Sequence, residues 1–215
     1  MRRISQTKPS TDAGNPYAST WAEACMQPLC FQEELFIPPD ITCRQEFRER
    51  VLKPAQEFLP EAAKKFVRAK LNGRRIEEQQ LQDLLFSVHL AVHELASNAV
   101  FHGLLGIDSR RKLELMQQMS ADGAKTNSVL AELLKNEEVR RRSARITVEV
   151  TNSELKVTFW QTGGIPGFED LLEEIKASQK ADCRPYGRGL KCIIGLFDTV
   201  MQDPTSQIIT FSKCL

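Results

Sequence analysis

The 215-residue chain has little net charge: its formal charge is +1 and its isoelectric point is about 7.6. That balance gives no global attraction to nucleic acid or to an anionic membrane surface. No uninterrupted apolar run approaches the ~20 residues of a membrane span, and no apolar signal-peptide core follows the basic start at Met1–Gln6. We therefore expect a cytoplasmic protein that contacts neither nucleic acid nor membrane directly.

The six cysteines lack the spacing of a metal or redox motif. None forms a Cys-x-x-Cys pair, and only Cys25 and Cys30 are close together in the sequence. Reduced cytosolic thiols are therefore favoured over a disulfide framework or a metal site.

The order of predicted elements indicates a two-layer α/β (α+β) sandwich. Residues 1–32 are poor in apolar side chains and indicate a flexible tail. A short strand at 34–38 and several helices come before residues 144–160, where the apolar period becomes alternating and predicts a hairpin. Strands at 199–201 and 207–213 close the chain. We expect a mostly antiparallel mixed sheet covered on one face by helices.

Residues 108–142 differ from their surroundings because they are highly charged. They contain two helical patterns, divided at Asp122-Gly123. Their apolar stripe is thin, so we expect charged helices that project from the core. The cluster Arg140-Arg141-Arg142 fits a solvated helix face, and a surface for an anionic partner is the alternative.

One long helical pattern carries the most informative polar residues. Glu94, Asn98 and His102 are spaced by four, so they stack along one face beside the apolar stripe. The Asn oxygen can ligate Mg²⁺, and the carboxylate can accept a proton from a nucleophile. Ordinary polar residues on an amphipathic helix would show the same spacing. Gly103 is predicted to end this helix.

Two glycine-rich turns suggest a second element of a binding site. They are Gly163-Gly164-Ile165-Pro166-Gly167, after a predicted strand, and Gly187-Arg188-Gly189-Leu190, at the start of a predicted helix. Backbone N–H groups at a helix N-terminus and an arginine side chain can hold phosphate. Glycines that merely form turns are the alternative.

The order of these pieces resembles the histidine-kinase-like (Bergerat-fold) ATPases, and within them the anti-sigma-factor serine-protein kinases of bacteria. Glu94–Gly103 matches the N-box of that family, and Gly187–Val200 is similar to its second glycine box and the following helix. Ile209–Leu215 resembles its closing strand. The resemblance implies one domain over residues 33–215, with a helical insertion at about 105–143.

By this resemblance the domain would bind ATP and Mg²⁺. Glu94 would activate a serine hydroxyl on a protein substrate, Asn98 would hold Mg²⁺ between the phosphates, and residues 177–186 would form a lid. The other cofactor-binding positions implied are His102, Gln161, Gly163, Gly187, Arg188, Gly189, Leu190 and Ser212. The partners implied are a sigma factor and a STAS-type anti-anti-sigma protein, and a homodimer is compatible with the resemblance.

One departure from the family pattern separates the hypotheses. Gln161 stands where the family has an aspartate that accepts a hydrogen bond from adenine. Glutamine can accept that bond, but without the charge that makes it strong. A non-catalytic regulatory module of the same fold is therefore the main alternative. The catalytic half of a sensor histidine kinase is disfavoured, because His89, His93 and His102 all lie on the N-box helix.

Overall fold

The computed structural model describes five stretches of the chain, residues 30–120, 128–163, 188–203, 205–206 and 208–215. The strands are β1 (Cys30–Phe36), β2 (Ser143–Val150), β3 (Glu154–Gln161), β4 (Thr199–Asp203) and β5 (Ile208–Cys214). The helices are α1 (Arg44–Phe47), α2 (Leu59–Leu71), α3 (Glu78–Asn98), α4 (Ser109–Ser120), α5 (Ser128–Lys135), α6 (Glu137–Arg140) and α7 (Arg188–Leu196). Wider π-helical turns join α1 to α2 and extend α3, at Arg48–Leu52, Pro54–Phe58 and Ala99–Leu104.

The five strands form one open sheet in the order β1-β2-β3-β5-β4. Every pairing between these strands is antiparallel, so the expectation of a mixed sheet is wrong for the described part of the chain. The predicted hairpin and the closing strand do share this sheet, which confirms that part of the prediction. β1 begins at Cys30, so residues 30–32, assigned above to the tail, belong to the sheet.

The helices cover one face of the sheet, as a two-layer sandwich requires. Alternate residues of β3, from Leu155 to Gln161, are buried on that face. Helix α3 packs there against β2 and β3, with Leu95 and its apolar neighbours fully buried. The stretch Glu78–Leu104 is long and apolar enough to cross a membrane, but 67% of its most apolar window is buried inside the protein.

The long helix was predicted to end at Gly103, and this prediction is wrong. It continues to Leu104, and the chain turns at Gly106, where φ is +65°. A residue with a side chain rarely adopts that angle, so Gly106 is the glycine that the turn needs. Gly103 is instead a packing position, since a Cβ there would lie 2.6 Å from Oε1 of Gln161.

The insertion is helical, as predicted, but it does not project from the core. Its four central apolar side chains are at most 3% exposed; they are Leu115, Leu130, Leu134 and Val139. The guanidinium of Arg140 donates hydrogen bonds to three backbone carbonyls of the β1–α1 connection, those of Pro38, Pro39 and Ile41. A thin apolar stripe is therefore enough to dock these helices on the core when an arginine supplies hydrogen bonds to the adjoining backbone carbonyls.

Candidate functional site

Two polar residues of α3 meet the start of α7. Glu94 and Asn98 lie one turn apart on α3, and the side chain of Glu94 rests directly on Gly189. A Cβ at Gly189 would lie only 2.7 Å from the carboxyl carbon of Glu94. The glycine therefore permits this close approach between segments that are almost a hundred residues apart. The predicted Glu94 and Gly189 positions are thus brought together, with Asn98 one turn further along α3.

A lysine from the insertion completes this cluster. Nζ of Lys112, on α4, donates a hydrogen bond to Oδ1 of Asn98 at 3.1 Å. The same ammonium lies 5.2 Å from the ring centroid of Phe101, within cation–π range. The sequence does not predict Lys112 as a site residue, because the charged insertion is expected to lie apart from the site. Its spacing of three from buried Leu115 is the signal that places it on the inward face of α4.

The electrostatics of the cluster favour an ionised carboxylate. The imidazole of His93, with Nδ1 3.6 Å from Oε1, lowers the pKa of Glu94 against the opposing effect of burial, and Lys112 acts in the same direction. Burial lowers the pKa of Lys112, and attraction to Glu94 offsets part of that effect. At neutral pH Glu94 is therefore a carboxylate, and it attracts the partly desolvated Lys112 side chain.

The imidazole of His102 is hydrogen-bonded to the backbone of the turn after α3. Its Nδ1 lies 2.6 Å from the carbonyl oxygen of Ile107, which can only accept, so Nδ1 carries the proton and donates. Burial lowers the pKa of His102, so the ring is neutral at physiological pH. The residue fixes the chain that leads into α4 and thereby helps to place Lys112.

Gln161 lies at the other end of the site, below the last turn of the extended α3. It is 3% exposed at the end of β3, and its side chain packs against Gly103. The amide of Gln161 is therefore a buried group at the junction of helix and sheet. Gly163, with φ of +82°, follows it in the turn after β3.

The structure does not bring Ser212 to this cluster. The β5 side chains that face the helices belong to Ile209 and Phe211, and strand alternation puts Ser212 on the opposite face of the sheet. There it lies near Glu154, whose pKa is lowered first by the ammonium of Lys156 and then by the Ser212 hydroxyl. The position predicted for Ser212 rests on motif order alone, which does not give the strand register that decides its face.

The remaining predicted positions have mixed outcomes. Leu190 is buried in the core, so its side chain serves packing. Arg188 begins α7, but its side chain lies outside the described residues, as do Gly164, Gly167, Gly187 and the predicted lid at 177–186.

Within the described ranges, no group of three or more His, Cys, Asp or Glu side chains could hold a metal ion. Comparison of the chain with family models and with curated proteins finds no match. The resemblance drawn from the motifs therefore stays an expectation, and the site must be interpreted from its own geometry.

Proposed function

We propose that this protein is an ATP-dependent serine-protein kinase of the anti-sigma type, acting in the cytoplasm by partner switching. The observation that supports it is the contact between Glu94, one turn from Asn98 on α3, and the first turn of α7 at Gly189. Those are two separate pieces of the motif order, far apart in the sequence, and chance packing gives no reason for them to meet. Its partners would be a sigma factor and a STAS-type antagonist that carries the acceptor serine.

The charged groups of the cluster suit a polyphosphate. The first backbone N–H groups of α7 have no partner within the helix, and Lys112, which bonds to Asn98 on α3, supplies a basic side chain. Phosphoryl transfer depends mainly on positioning and on charge stabilisation, which such groups supply. ATP would therefore place its phosphates between α3, α4 and α7.

Glu94 is the residue that would accept the proton of the attacking serine hydroxyl. Its lowered pKa keeps it ionised at neutral pH, and this makes it available as a base although a comparatively weak one. General-base assistance of this kind is typically worth roughly 10²–10⁴-fold in rate. His93 would hold the carboxylate in that state.

A magnesium ion does not fit at Asn98 in this arrangement. The side-chain oxygen that would ligate it already accepts the hydrogen bond of Lys112, and an ammonium beside the same oxygen repels a second cation. Mg²⁺ also requires near-ideal octahedral geometry and gives up its waters reluctantly. We therefore assign Asn98 no ion-dependent step.

A non-catalytic regulatory module is the second candidate function. Two observations favour it: Gln161 offers adenine no charged acceptor, and Lys112 engages Asn98. In that case the fold would act only by capturing a regulatory partner.

Calorimetry with ATP, followed by transfer of phosphate to a STAS-type protein, separates the two candidates. We expect the wild type to bind ATP, and Glu94→Gln to keep binding while losing roughly 10²–10⁴-fold in transfer. Glu78→Gln, an exposed change at the start of the same helix, is the matched control and should leave both unchanged. If only Gln161→Asp binds ATP, the kinase proposal fails and the non-catalytic module is the better account.

A further inference from the structure

The insertion contributes one basic side chain to the site and leaves its neighbours in solvent. Arg110, Arg111 and Lys112 are consecutive in α4, but the two arginines are exposed and Lys112 is half-buried. Because consecutive helical residues point about 100° apart, the helix turns only one of the three inward. The Lys112 side chain therefore points inward because of the way α4 is docked, and not because of the local charge.

The docking of α4 is fixed at its first turn. The carboxylate of Asp108 accepts a hydrogen bond from the backbone N–H of Arg111 at 2.8 Å, as an N-terminal cap does. Ile107, just before it, is buried, and its carbonyl oxygen takes the hydrogen bond from His102. The segment between α3 and α4 is therefore held firmly enough to aim Lys112 at Asn98.

The ammonium of Lys112 has hydrogen-bond donors left for an anion. In the part of the chain that the structure describes, Asn98 is its one hydrogen-bond acceptor, and an ammonium carries three donors. Asn98 is neutral, the ring of Phe101 offers only its π-face, and the carboxylate of Glu94 attracts the ammonium but accepts no hydrogen bond from it among the described contacts. A phosphate oxygen at this position would form charge-assisted hydrogen bonds, which are shorter and stronger than neutral ones.

We propose that Lys112 is the phosphate-binding cation of this site and takes at Asn98 the place that a divalent ion would otherwise occupy. Triphosphate binding by this chain would then depend only weakly on Mg²⁺. This inference rests on the proposed nucleotide site, but it concerns a residue of the insertion that the resemblance does not cover. It also gives the insertion a function, which is to complete the site with a built-in positive charge.

The test is calorimetry on the full chain with two probes, ATP and inorganic tripolyphosphate, each in Mg²⁺ and in EDTA. We expect wild-type affinities in the two media to agree within about threefold. Lys112→Met should weaken binding in EDTA by roughly tenfold to a hundredfold, the effect of losing a hydrogen bond to a charged group. Lys112→Arg should retain binding, because it keeps the charge. Arg110→Met removes one charge from the exposed face of the same helix and should behave as the wild type.

The outcomes separate this inference from the proposed function. If ATP binds with equal or greater affinity to Lys112→Met, the inference is overturned and the nucleotide site stands. If Lys112→Met weakens tripolyphosphate binding but the wild type binds ATP no more tightly than tripolyphosphate, the phosphate-binding role of Lys112 stands. The proposed adenine site is then overturned. If neither probe binds the wild type, both proposals are overturned. Thermal unfolding of Lys112→Met and Lys112→Arg alongside these titrations shows whether a loss of affinity reflects loss of fold.

Discussion

Helix α3 and the insertion α4–α6 contribute to the same cluster, but they are held in place by different means. α3 is buried over a broad face, with Ala91, Val92, Leu95 and Ala96 fully inaccessible to solvent. The insertion is mostly charged and docks through a single apolar side chain every turn or two, helped by Arg140 and Lys112. A high charge content therefore does not make a helix peripheral, because a few well-placed contacts decide its position.

The largest expected effect tests whether the insertion belongs to the core as α3 does. Leu95→Ala in α3 and Leu134→Ala in α5 both remove fully buried side chains, so each should lower the free energy of unfolding by about 2–5 kcal/mol. Leu113→Ala in α4, whose side chain is 45% exposed, is the control and should change it by less than about 0.5 kcal/mol. Denaturant unfolding measures all three.

A small effect of Leu134→Ala would show that the insertion is an independent appendage. So would two separate unfolding transitions, one of which is unchanged by that substitution. Either result would restore the expectation of projecting helices drawn from the charge pattern.

The second prediction concerns the arginine that ties the insertion to the β1–α1 connection. Arg140→Ala removes hydrogen bonds to three backbone carbonyls and should cost about 1.5–3 kcal/mol of unfolding free energy. Arg141→Ala is the matched control, because that side chain is 80% exposed and pairs with Glu137 one turn away. It should cost less than about 0.5 kcal/mol. Equal effects of the two substitutions would contradict the anchoring role of Arg140.

The third prediction tests the contact that brings α3 to α7. Gly189→Ala should cost about 1–3 kcal/mol, because its methyl group would displace the side chain of Glu94. Gly195→Ala, on the same helix with open space around it, should be neutral or stabilising by up to about 1 kcal/mol. Adding Glu94→Ala to Gly189→Ala should recover much of the loss in unfolding free energy. Without that recovery, the cost would not come from this contact.

The two regions also differ in what their sequences could reveal. The register of α3 follows from an apolar period repeated over many turns, and the β2–β3 hairpin follows from a clear alternation. The position of Lys112 depends instead on the path of the chain from Gly103 to Asp108, which a positive φ at Gly106 redirects. Nothing in the local pattern predicts that path.

Two other residues show the same limit. In sequence, a glycine that ends a helix cannot be told from one that admits a neighbouring side chain, which is why the role of Gly103 was wrongly predicted. The face on which Ser212 lies depends on strand register, and a one-residue shift reverses it. Motif order therefore predicted which elements meet, whereas the tertiary packing decided which side chains do.

The smallest expected effect lies at the junction of the two regions, where His102 ends the polar face of α3 and fixes the turn into α4. Burial holds the pKa of this imidazole below its ordinary value of 6.5 in the folded protein, so the unfolded chain binds a proton more readily. Because stability rises with pH wherever the unfolded state binds more protons, the contribution of His102 is present above about pH 6.5 and is lost as the pH falls towards the folded pKa.

The free energy of unfolding, measured by urea titration from pH 5 to pH 8, should fall on the acid side of that window. His102→Asn keeps a donor near the carbonyl of Ile107 but cannot titrate, so its unfolding free energy should vary less with pH over the same range. A wild type and variant with parallel pH profiles would show that the imidazole is as accessible in the folded protein as in the unfolded chain, and that the turn into α4 does not depend on its neutral form.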